Sequence, residues 1–178
     1  MTCWVALLRG VNVGGITIRS ADLAALFRDE LGFDAVRTFL ASGNVRFETA
    51  DAASARKKLK AAIEKALRGR FDYDAWIVLV TLPELEHAIE RFPFDARADA
   101  RQPWVVFCVD DETRDEVIAA ADVFDKDVDP VAEGPGVIYW NPVKGTSTDT
   151  PFAKVLSKAR YKATTTTRNL RTLVKIAS

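Results

Sequence analysis

The tightest constraint on this fold is a switch of hydrophobic period, repeated in a fixed order over the first eighty residues. Residues 3–8 form a short apolar run that ends at a Gly-rich turn, the pattern of a buried strand. Leu23, Leu26, Phe27 and Leu31 then recur at helical spacing, with Ser20 as the expected N-cap and Gly32 as the stop. Residues 36–40 read as a second strand. A third begins at residues 45–47, after the turn Ser42-Gly43-Asn44. Past Asp51, a helix is expected with Ala55, Leu59, Ile63 and Leu67 on one face, four lysines mostly opposite, and Gly69 as its end. Residues 76–80 are apolar on both faces and read as a central fourth strand. The order βαββαβ is the split βαβ, or ferredoxin-like, plan.

The second half repeats the theme. Thr81 and Glu84 have the spacing of a capping box, opening a helix that turns Leu85 and Ile89 inward and ends before Pro93. The polar residues 95–102 read as a linker, with a domain boundary nearby. Residues 104–109 are expected to be a strand, followed by a helix carrying Val117 and Ile118. Residues 129–132 and 137–140 suit a hairpin around residues 133–136. A helix opens near Pro151 with Phe152, Val155 and Leu156 inward. The last helix is expected to start in the threonine run 164–167, burying Leu170, Leu173, Val174 and Ala177. The reading is an α+β chain of two ferredoxin-like (βαββαβ-type) subdomains, the second less complete with an extra C-terminal helix. Residues 1–82 are the first, 83–102 a connecting helix and linker, and 103–178 the second.

A chain of 178 residues is long enough to bury a sizeable core. Two cysteines exclude a disulfide scaffold. The longest early apolar run is far short of the roughly 20 residues that span a bilayer, and it lacks a signal peptide's layout. A cytoplasmic protein with no membrane contact is expected. Net charge is zero but unevenly spread: from Thr150 onward there is no Asp or Glu, against seven Lys and Arg, while residues 84–133 are strongly acidic. That asymmetry suits an anion or nucleic-acid contact, or a basic tail resting on the acidic middle of its own chain.

Three segments carry candidate chemistry. The loop Arg9-Gly10-Val11-Asn12-Val13-Gly14-Gly15 has three glycines in six positions, which lets a ligand approach backbone N–H groups. Gly10, Gly15 and Thr17 echo a P-loop, but Ile16 stands where the phosphate-binding lysine belongs, which argues against a nucleoside triphosphatase. The turn Ser42-Gly43-Asn44 places side-chain donors at a sheet end, or simply reverses the chain. In Thr167-Arg168-Asn169, a cation near an expected helix start opposes the macrodipole and suits a bound anion. As plain structure, the same segments would be tight turns, caps and an ion pair.

Residues 8–15, residues 38–45 (Thr38-Phe39-Leu40-Ala41-Ser42-Gly43-Asn44-Val45) and residues 167–169, in that order, resemble the family of bacterial proteins called domain of unknown function 1697. The resemblance runs from the first strand to the last helix and implies a two-part α+β protein of ferredoxin-like subdomains, with no established activity. This chain departs from the usual pattern at Ile16, where members often have Lys, and at Leu170, where an aromatic is common.

The single histidine, His87, lies on a charged helix with no nucleophile motif beside it. Cys3 and Cys108 fall in expected strands, without zinc spacing. Asp110, Asp111 and Glu112 suit a helix start better than a Mg²⁺ site. Trp104, Tyr139 and Trp140 read as packing residues. No cofactor and no metal are expected, and neither a reaction nor an oligomeric state is read from the sequence. The functional expectation is a small anionic or phosphorylated ligand, held by Arg9, Gly10, Asn12, Gly14, Gly15, Ser42, Gly43, Asn44, Thr167, Arg168 and Asn169. The alternatives are RNA or single-stranded nucleic acid stacking on Trp4 and Phe47, and a structural or protein-interaction module whose motifs are turns and caps.

Overall fold

The structure, a computed structural model, describes residues 1–11, 17–41, 43–72 and 74–178. Two compact units divide the chain, Met1–Leu85 and Glu86–Ser178. In the first, β1 (Thr2–Arg9), α1 (Ser20–Ala25, continued by a π-helical turn), β2 (Asp34–Phe39), β3 (Asn44–Thr49), α2 (Arg56–Phe71) and β4 (Trp76–Thr81) follow in turn. The sheet order is β2-β3-β1-β4, all antiparallel. The interior strands are therefore β3 and β1, and β4, expected at the centre, lies at an edge. Its residues are nonetheless buried from Ile77 to Thr81, which is why its sequence reads as central.

Strand alternation decides the core. Trp4, Ala6 and Leu8 of β1 and Val45 and Phe47 of β3 meet Leu23, Phe27, Leu59, Ile63 and Leu67 from the helices. Phe27, Phe33 and Phe47 form an aromatic cluster, with Phe33 stacked on Phe47 at 4.5 Å. The proposed stacking platform of Trp4 and Phe47 is therefore core: neither ring has any exposure. Gly69 does not end α2. Glycine is tolerated within a helix at a modest cost, and the helix continues to Phe71, where Asp72 takes the left-handed cap conformation at φ +49°.

The second unit repeats the order. α3 (Leu82–Glu90) straddles the division, opening on the expected capping box: Glu84 accepts from the Thr81 N–H at 2.8 Å, and Thr81 Oγ1 accepts from the Glu84 N–H at 3.4 Å. There follow β5 (Trp104–Cys108), α4 (Asp111–Ala121), β6 (Val131–Gly134), β7 (Val137–Trp140), α5 (Pro151–Leu156), β8 (Thr165–Asn169) and α6 (Leu170–Ala177). The sheet order β6-β7-β5-β8 matches that of the first unit. These are two ferredoxin-like units in an α+β chain.

The threonine run is the main correction. It is strand β8, paired along β5 from Cys108↔Thr165 to Trp104↔Asn169, and it supplies the fourth strand that the sequence left out. β-branched threonines fit a pleated edge better than a helix. α6 starts later, at Leu170, with the Asn169 side chain accepting from the Arg171 N–H at 3.0 Å. Its buried stripe is Leu170, Leu173 and Ile176 rather than the set expected with Val174 and Ala177, and Val174 is 50% exposed.

Candidate functional site

Arg9, Gly10, Gly43 and Asn44 come together in the first unit. β1 and β3 are neighbours, with Leu7 opposite Asn44, and the Gly43 carbonyl accepts from the Leu8 N–H at 2.9 Å. Gly10 and Gly43 both have positive φ, +79° and +69°. A Cβ on Gly43 would sit 2.8 Å from the Leu8 Cβ, so the turn closes directly onto the end of β1. Asn44 is fully buried, and its amide donates to the Phe39 carbonyl at 2.9 Å. Burial holds the Arg9 guanidinium below its ordinary pKa. Asn12, Gly14, Gly15 and Ser42 lie outside the described residues.

Thr167, Arg168 and Asn169 belong to the second unit, all on β8. Arg168 is buried, and its Nη1 donates to Thr166 Oγ1 at 2.7 Å and to the Thr167 carbonyl at 2.9 Å. Burial pushes its pKa down to about 10, so it remains a cation at neutral pH. Its placement on a strand removes the argument from a helix macrodipole.

Asn169 borders a polar cavity of about 80 Å³, which also takes in Asp99, Arg101, Lys144 and Arg171. Backbone hydrogen bonds assemble it. Arg101 forms an isolated β-bridge with Val143, the Gln102 N–H donates to the Pro142 carbonyl at 3.0 Å, and the Lys144 N–H donates to the Ala100 carbonyl at 2.9 Å. The Leu170 N–H donates to the Pro103 carbonyl at 3.0 Å, which brings the start of α6 to the same place. The segment read as a linker is thus stitched to two others. Arg101 Nη1 donates to the Asp127 carbonyl at 2.9 Å and toward that of Asn141 at 3.4 Å. Among the described residues, none of Arg101, Lys144 and Arg171 forms an ion pair with a carboxylate. Three cations against one carboxylate, Asp99, make the hollow electropositive. Of its lining, Arg101 lay in a polar stretch and Lys144 in no motif, so nothing in the sequence linked them. Arg171 was visible as a residue off the helix stripe.

The other candidates have plain roles. The Asp110 side chain caps α4 by accepting from the Thr113 N–H at 2.8 Å, and Asp111 and Asp115 hold Arg114. His87 is exposed on α3. Cys108 is buried in the second core, where desolvation pushes its thiol up to about 12 and opposes nucleophile chemistry. Tyr139 and Trp140 are buried, and the Trp140 indole donates to Asp129 at 2.9 Å. The basic tail meets the acidic middle in an ion pair from Arg160 to Glu116 at 2.8 Å.

No helix among the described residues is long and apolar enough to cross a membrane. No curated protein matches the sequence. Among solved structures, the chain is similar to a conserved bacterial protein from Streptococcus pneumoniae, with a TM-score of 0.80 and 25% identity over 99% of this chain and 97% of that one. The model of the family described as "Protein of unknown function (DUF1697)" matches residues 1–139, most of the chain, and the protein belongs to that family.

Proposed function

We propose that this protein binds a small anionic or phosphorylated ligand, and that the contact is made in the second unit by Arg101, Lys144, Asn169 and Arg171. The reading rests on one observation: three cations without carboxylate partners among the described residues line a concave polar cavity. Three cations held together with one carboxylate among them repel one another, and a bound oxyanion relieves that repulsion. The planar fork of Arg171 suits two oxygens of a phosphate or carboxylate, while Lys144 acts as a point charge. The ligand class is the one expected from the sequence. Of the residues expected there, Asn169 lines this cavity. Arg9, Gly10, Gly43 and Asn44 belong to the other unit, where the Gly43 carbonyl accepts from the Leu8 N–H and the Asn44 side-chain amide donates to the Phe39 carbonyl.

The test is an amide NMR titration of the full chain with inorganic phosphate and, separately, a sugar phosphate. Shifts should concentrate in residues 98–103, 144 and 169–171, and Arg171→Gln or Lys144→Gln should weaken binding about tenfold, as loss of one charge-assisted contact implies. An absence of shifts in those segments, or the same affinity in both variants, overturns the proposal.

A further inference from the structure

A different cationic feature stands in the first unit, at the end of the β2–β3 hairpin. Arg37 lies directly opposite Arg46 in the antiparallel register. Like charges at opposed positions destabilise a sheet. Phe39, two residues along β2 on the same face, receives both: its ring centroid is 5.4 Å from the Arg37 guanidinium and 6.0 Å from that of Arg46. Attraction to the ring offsets part of the repulsion. Arg37 is exposed and forms no ion pair among the described residues, and Phe39 is half-buried. The acidic residues of the hairpin, Asp34 and Glu48, face each other at its other end.

The backbone that carries the ring is fixed. Asn44 donates from its buried amide to the Phe39 carbonyl, and Gly43 ties the following turn to β1. On the rest of this sheet face Val5, Leu7, Val78 and Val80 are buried, so the accessible part is confined to the β2–β3 end.

We infer that Arg37, Phe39 and Arg46 form a contact for single-stranded nucleic acid. One base stacks on the Phe39 ring and the flanking phosphates meet the two guanidinium groups. A free phosphate or an acidic peptide would match the charge but brings no flat aromatic group to stack against the half-buried ring. A nucleotide strand matches both, through base–aromatic stacking combined with backbone phosphate contacts. Because Val5, Leu7, Val78 and Val80 of this face are buried, the contact takes one or two nucleotides rather than spreading across the sheet.

The experiment is fluorescence anisotropy of a labelled oligouridine titrated with the full chain at about 50 mM salt. Binding should weaken with salt at a log–log slope of about −1.4, the value for two phosphates on a single strand. Phe39→Leu keeps apolar volume and should weaken binding about tenfold at an unchanged unfolding midpoint. Arg37→Gln should reduce the slope to about −0.7. Lys144→Gln and Arg171→Gln should bind as the parent chain does, which separates this outcome from that of the second-unit cavity. No binding at low salt, unchanged binding by Phe39→Leu, or a polyglutamate peptide competing as well as unlabelled oligouridine would each overturn the inference.

Discussion

Gly43 is the residue at which backbone and packing agree most closely. Its φ of +69° disfavours any side chain, and a methyl group there would meet the Leu8 Cβ at 2.8 Å. Gly43→Ala should therefore cost about 2–4 kcal/mol, combining left-handed strain with overpacking; a urea midpoint equal to that of the parent would contradict this. Cys108 makes a prediction about pH. Its thiol is raised from 9.0 to about 12 by burial. Between those values the unfolded chain loses the proton first, so stability is fully present below pH 9 and falls as pH rises through that window. In a Cys3→Ser variant, the remaining thiol should resist a disulfide reagent at pH 8 until the unit unfolds. Rapid labelling of the folded chain would show the thiol accessible.

At the scale of elements, α5 depends on a residue outside it. Asp129 is buried, accepting from the Trp140 indole at 2.9 Å and from the Phe152 N–H at 2.8 Å. One carboxylate thus joins the end of β7 to the first turn of α5, beside the Thr150 cap. Asp129→Ala leaves two buried donors unpaired and should cost about 3 kcal/mol, with loss of near-ultraviolet signal from Trp140 before loss of helix signal. Simultaneous loss of both would deny the carboxylate this local role. Helices with local signals were legible: the Thr81–Glu84 box, the Asp110 cap and Pro151 all sit where their chemistry suggested. β8 was not. Its threonines lack alternation between apolar and polar residues, and what makes them a strand is the row of hydrogen-bonding groups that β5 offers alongside. With the threonines in β8, α6 starts at Leu170.

Across the whole molecule, two cores form on the same plan from dissimilar residues, with Phe27, Phe33 and Phe47 as buried rings in one unit and Trp140, Phe152 and Tyr161 in the other. The amino-acid order determined the α+β class, the ferredoxin-like succession and the inward rings, because each follows from hydrophobic period and local turn chemistry. Tertiary structure alone decided that β4 is an edge strand, that Arg168 is buried on a strand, and that Arg101, Lys144 and Arg171 border one hollow. The physical reason is range. Period and capping act over a few residues of chain, whereas sheet order and convergent charge depend on hydrogen bonds between segments far apart in sequence, which no local pattern records.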